Sequence, residues 1–223
     1  GNITSYDMTF AGNGGTLTFG EGVVFLKHND ETMKPTVYGG SLNDSKLTTT
    51  TKSTVIINAG EFAAVYGGGT KAQTADANVM INATKNTTTN KDNVVKVNKL
   101  FGGGSGEAGI VNGNTKVQVL NGIIAPPTNN NDGSSIGGIY GGGEEAEVKG
   151  STIVEVSCDD MDNAKSIYGG GKGATVAGGS TVTVTIPNTT DAHTWNLYTI
   201  SGSGTNADGS ALADNVTGTK KVS

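Results

Sequence analysis

The sequence predicts an all-β chain wound as a single-stranded parallel β-helix, and three observations carry that prediction. A unit of one aliphatic residue, one aromatic and two or three glycines recurs along the chain, and a segment alternating valine or isoleucine with polar residues recurs with it. Glycine supplies 36 of 223 residues, while apolar residues reach only 34% and aromatics 5%. Such a composition cannot fill a thick core, so it calls for an architecture with little apolar volume per residue and many tight turns.

The aliphatic-aromatic-glycine unit begins at Val37-Tyr38, Val65-Tyr66, Leu100-Phe101, Ile139-Tyr140 and Ile167-Tyr168, with Leu197-Tyr198 as a degenerate sixth copy. A short A-x-V-x-G segment follows it at Ala146–Gly150 and Ala174–Gly178, with weaker copies at Gly109–Gly113 and Asp214–Gly218. The alternating segment then places Val55/Ile57, Val79/Ile81, Val117/Val119, Val154/Val156 and Val182/Val184 on one face, the period-two signature of a strand. Each unit therefore holds three short strands, and about six coils stack so that each strand pairs in parallel with its copy in the next coil. Glycine is expected at the corners for positive φ and for close backbone approach.

The aliphatics Val37, Val65, Leu100, Ile139, Ile167 and Leu197 form one inward column, since an inward position must stay apolar in every coil. Alternation then turns Tyr38, Tyr66, Phe101, Tyr140, Tyr168 and Tyr198 outward, as a ladder of rings suited to stacking on sugars. The same alternation would place Lys165 with Ile167 inside, at a desolvation cost, so the opposite facing stands beside this one, with the rings as an inter-coil stack.

The extra length between copies falls at one corner, after the alternating strand, in segments 83–93, 124–135, 157–165 and 187–196, joined by 27–35. These hold all four prolines, both histidines (His28 and His193), the single Trp195 and seven of twelve aspartates. Insertions on one face of a solenoid often form its binding face, although loops also accumulate wherever the core permits them. Residues 1–36 are expected to form a first coil and cap around a strand at Thr16–Phe19, residues 37–200 the repeats, and residues 201–223 a degenerate last coil that stops unfinished.

The net charge of −5, fifteen lysines without arginine and the absence of a basic run argue against a nucleic-acid partner. No apolar run is long enough to span a membrane. The single Cys158 excludes an intrachain disulfide, and its parity with Val154 and Val156 places it inside.

The V/I/L-Y/F-G-G-G units linked by T-x-V-x-V strands resemble the repeat-bearing, adhesin-like surface proteins of gut bacteria, which are built as right-handed parallel β-helices. The resemblance covers roughly residues 37–200. It implies a right-handed coil in a secreted or surface-tethered bacterial protein, and it carries no catalytic residue across.

The remaining candidates are weighed against bland readings. Asp159, Asp160 and Asp162 could gather calcium, though their spacing fits no EF-hand and also suits a solvated loop. His193 and Trp195 form a site-like pair, against a Trp that covers the last coils. Gly104–Gly109 satisfies G-x-G-x-x-G but lacks the helix a dinucleotide site requires, so it reads as a corner. The outward row Thr181, Thr183, Thr185 occurs once, where an ice-binding face would repeat it in every coil. Without arginine the chain lacks the base of pectate-lyase-like enzymes, and its strands do not present the aspartates of polygalacturonase-like ones. The expected function is non-enzymatic binding of a glycan or of a host or partner surface, outside the cell and without a cofactor. The rivals are a stalk that spaces other domains and a carbohydrate-active enzyme.

Overall fold

The computed structural model describes residues 8–23, 25, 27–28, 31–32, 34–43, 51–83, 95–121, 138–157, 166–185, 199–212 and 215–223. Among them there is no helix, and the chain forms two parallel seven-stranded sheets. The first sheet holds β1 (Thr9–Ala11), β5 (Thr36–Tyr38), β7 (Gly60–Tyr66), β9 (Val95–Phe101), β11 (Gly138–Tyr140), β13 (Ser166–Tyr168) and β15 (Thr199–Ser201). The second holds β2 (Gly15–Phe19), β6 (Ser53–Ile57), β8 (Ala77–Asn82), β10 (Thr115–Asn121), β12 (Thr152–Val156), β14 (Ser180–Val184) and β18 (Lys220–Val222). Two small antiparallel pairs lie beside them, β3 (Lys27–His28) with β4 (Glu31–Thr32) and β16 (Gly204–Thr205) with β17 (Ala211–Leu212). The strands of each sheet follow one another in chain order, so the chain alternates between the sheets and each pass lies on the one before.

This corrects the expected six coils of three strands. The repeat builds two sheets of seven strands, and the A-x-V-x-G segment is no third strand. Its valines form a column of isolated parallel bridges, Thr74 to Val111, Val111 to Val148, Val148 to Val176 and Val176 to Val216. Glycine on either side leaves too few pairing residues to extend a ladder there. The valines still bury, as a small cluster of Ala77, Val111, Val148, Val176 and Val216.

Register follows the repeat closely. Val37 pairs with Val65, Val65 with Leu100, Leu100 with Ile139 and Ile139 with Ile167, and all five side chains are fully buried. In the second sheet Val55, Val79, Val117, Val154 and Val182 form the matching column. The two columns face each other in one continuous core, and burying each such side chain contributes about 1.5–3 kcal/mol.

Two rungs lie outside the motif as read from sequence. Phe10-Ala11 pairs with Val37-Tyr38, so the first rung is Phe10-Ala11-Gly12. At the other end Ile200-Ser201 pairs with Ile167-Tyr168, so Leu197-Tyr198 is not the next copy of the unit. The aliphatic position there belongs to Ile200, and the aromatic one to Ser201.

The parity conflict resolves at a bend. In β7 and β9 the register passes from Phe62↔Val97 to Ala64↔Lys99, and Phe62 and Val65 both reach the core although they lie three apart, as do Val97 and Leu100. The strand turns a corner at Ala63 and Asn98, and strict alternation restarts beyond it. Lys165 itself lies outside the described residues.

Glycine's role at the corner meets one half of the expectation, close backbone approach, and not the other, positive φ. None of the described triplet glycines has positive φ. They are needed for space: a Cβ on Gly142 would stand 2.7 Å from Gly171 N and 2.8 Å from its Cα, and one on Gly103 would stand 2.7 Å from Gly143 N. The backbone of one rung rests directly on the backbone of the next.

Candidate functional site: the aromatic column

Past the bend, alternation places the aromatics on the face of the first sheet opposite the aliphatic column. Parallel pairing fixes neighbouring rungs about 4.8 Å apart, so in-register rings must lie face to face. Tyr38 stacks on Tyr66 at 4.9 Å, Tyr66 on Phe101 at 5.2 Å, Phe101 on Tyr140 at 4.8 Å and Tyr140 on Tyr168 at 4.9 Å, with interplanar angles from 5° to 20°. The backbone imposes this near-parallel arrangement on rings that in isolation favour offset or edge contacts.

The expected open ladder of rings is thereby corrected. Tyr66, Phe101 and Tyr140 are 4%, 0% and 1% exposed, and together with Ala64 they form a second apolar cluster. Both faces of each of these three rings are covered by neighbouring rings, so no sugar can stack on them. Tyr38 and Tyr168, at the two ends of the column, are half-buried. Their outer register neighbours are the small residues Ala11 and Ser201.

The hydroxyl edge of the column is closed by Ser105, Glu144 and Lys172, which follow glycine triplets, and by Lys99, which precedes one. The Tyr66 hydroxyl donates to Glu144 Oε2. Glu144 Oε1 also accepts from Lys99 Nζ at 3.1 Å and Lys172 Nζ at 3.4 Å, so four successive rungs meet at one carboxylate. Burial pushes the Glu144 carboxyl up, but the Tyr66 hydrogen bond and the two ammonium groups outweigh it and carry it below its ordinary value. Burial, then the Glu144 charge and hydrogen bond, drive the Tyr66 phenol strongly upward. Ser105 Oγ donates to the Tyr38 hydroxyl at 3.5 Å. Burial pushes the Tyr140 phenol up to about 12 despite the opposing influence of the neighbouring Thr205 hydroxyl. Among the described residues neither of those two buried hydroxyls has a hydrogen-bond partner within bonding geometry.

Two further ladders escaped the sequence reading. In four of the seven second-sheet strands the opening residue donates its hydroxyl to a glycine carbonyl one rung on: Ser53 to Gly67 at 2.5 Å, Thr115 to Gly141 at 2.5 Å, Thr152 to Gly169 at 2.6 Å and Ser180 to Gly202 at 2.5 Å. Ala77 occupies this position in β8 and has no hydroxyl to give. One residue earlier, Asp76 accepts from Asn114 N at 2.9 Å, Asn114 from Ser151 N at 2.8 Å and Ser151 from Gly179 N at 3.2 Å. The Ser or Thr two residues ahead of four of the five valine pairs was the available signal for the first ladder, and the residue before it was the signal for the second.

Several sequence candidates, Tyr198, His193, Trp195, Asp159, Asp160, Asp162 and Cys158, lie outside the described residues, as do nearly all of the loop segments 83–93, 124–135, 157–165 and 187–196. Among the described residues no group of three His, Cys, Asp or Glu could hold a metal ion, and no helix is long and apolar enough to cross a membrane. Thr181 and Thr183 pair with Ile153 and Glu155 rather than with further threonines, so their row stays local.

No family model, curated protein or solved structure matches this chain. Its own geometry therefore carries the functional reading.

Proposed function

We propose that the chain is a non-enzymatic, right-handed solenoid of an extracellular adhesin-like bacterial protein, which holds a glycan or protein partner through the loops of one corner. The observation that supports this is the burial of the ring column. Its inner rings are covered by one another and by their polar border, so the repeat acts as the frame and recognition falls to the segments of variable length. Right-handed winding accords with the strong preference of parallel crossovers for that hand.

The test replaces residues 124–135 and 187–196 by short Gly-Ser linkers. Intact and substituted proteins are then passed over a glycan array and over immobilised epithelial surface proteins. Retention of the intact chain and loss in the variant, at equal melting temperature, is the expected result. No retention of the intact chain on either surface would overturn binding in favour of the stalk, which the self-contained walls also suit.

A further inference from the structure

Among the described residues, Tyr66 is the one ring of the column whose hydroxyl is given to a carboxylate. We propose that the column conducts an oxidising equivalent inward from its half-exposed ends, and that Tyr66 is where that equivalent comes to rest as a neutral phenoxyl radical.

The geometry supplies each step. Tyr38 and Tyr168 present partial surface at the two ends. From Tyr38, Tyr66 is one stacked neighbour away at 4.9 Å. From the other end the path runs through Tyr140 and past Phe101, which separates Tyr140 from Tyr66 by about 10 Å between ring centres. Phenylalanine is far harder to oxidise than tyrosine, so the electron tunnels across it. A phenol that loses an electron becomes a strong acid, and the radical persists only where its proton has a base within hydrogen-bond reach. Tyr140 has none. Tyr66 has Glu144, which Lys99 and Lys172 hold as a carboxylate.

In balance, a diffusible one-electron oxidant gains one electron. Tyr66 loses that electron from its ring and its phenolic proton to Glu144 Oε2, leaving a phenoxyl and a carboxylic acid. A one-electron donor such as ascorbate restores the phenolate, and the proton returns from Glu144. The rings would thereby divert oxidation from the exposed surface to a site shielded from other chains.

The test uses the full 223-residue chain with Tyr6, Trp195 and Tyr198 changed to Phe and Cys158 to Ser, so that oxidisable groups outside the column do not compete. A ruthenium tris-bipyridyl complex and persulfate generate the oxidant by flash, radical decay is followed by electron paramagnetic resonance, and intermolecular dityrosine by fluorescence. A long-lived phenoxyl with little dityrosine is expected. In Tyr66→Phe, which keeps the stack, the lifetime should shorten at least tenfold and dityrosine dimers should rise. Glu144→Gln, which keeps the shape and removes the base, should do the same. An absent phenoxyl, or lifetime and dimer yield unchanged in both variants, would overturn the proposal.

Discussion

Replacing Gly142 by alanine tests whether the glycine corner exists for close approach. The added Cβ would meet Gly171 N at 2.7 Å, Gly171 Cα at 2.8 Å and Gly170 C at 3.0 Å, all backbone atoms that no rotamer change can move aside. Ordinary contact begins near 3.4 Å, so the next rung must retreat by several tenths of an ångström. That lengthens the bond from Gly142 N to Gly170 O, now 3.0 Å, to the limit of hydrogen-bond geometry. Overpacking costs about 1–3 kcal/mol and the weakened bond about 1 kcal/mol. Alanine returns roughly 0.4–1 kcal/mol by restricting the unfolded chain. The net is a destabilisation of about 1–3.5 kcal/mol, which for a chain of this size lowers the melting temperature by roughly 2–14 °C. Gly20→Ala is the control, because no atom lies within 4 Å of its would-be Cβ and its φ is not positive. Urea titration followed by circular dichroism measures both. A Gly142→Ala protein within 0.5 kcal/mol of the parent would refute the close-approach account.

Four further outcomes follow from the ladders and the polar border. Ala77→Ser completes the row of hydroxyls on glycine carbonyls and should stabilise by about 0.5–1.5 kcal/mol, seen as a higher urea midpoint. Asn215→Ala strips partners from the buried Gly204 N–H and from the Gly171 and Ala174 carbonyls. A loss of about 2–4 kcal/mol is expected in the same titration. The Glu144 carboxyl lies lower in the folded chain than in the unfolded one, so its contribution is complete above its ordinary value and fades as pH falls through the folded value. Stability curves of the parent and Glu144→Gln should therefore differ at pH 7 and converge in acid. Tyr140 lies higher folded than unfolded, so its contribution is whole below pH 10 and is lost as pH rises toward about 12. Tyr140→Phe should remove roughly 3 kcal/mol of that alkaline loss, read from melting temperatures across the range.

The aliphatic columns and valine pairs were legible because inward positions admit few residue types, so Val65, Leu100, Ile139 and Ile167 repeat in chemistry as well as in place. The terminal rungs were not. Phe10-Ala11 and Ile200-Ser201 keep the apolar residue but drop the aromatic, and Tyr198 imitates a copy three residues out of register. The facing of the rings hinged on the bend at Ala63 and Asn98, which leaves no mark in composition. The Tyr66 to Glu144 bond joins residues 78 apart, and no local pattern announces such a contact. What the sequence did hold was overlooked: a Ser or Thr placed ahead of almost every valine pair.

Strict rung-on-rung pairing also decides how the molecule would answer a pull along its axis. Each pass of chain is bonded to its immediate neighbours above and below, so tension would be carried in series rather than shared. Under load the rod would peel from an end in steps of a few dozen residues. Rungs whose hydroxyl staples are intact would hold longest, and the peel would cross the junction at Ala77 more easily than its neighbours.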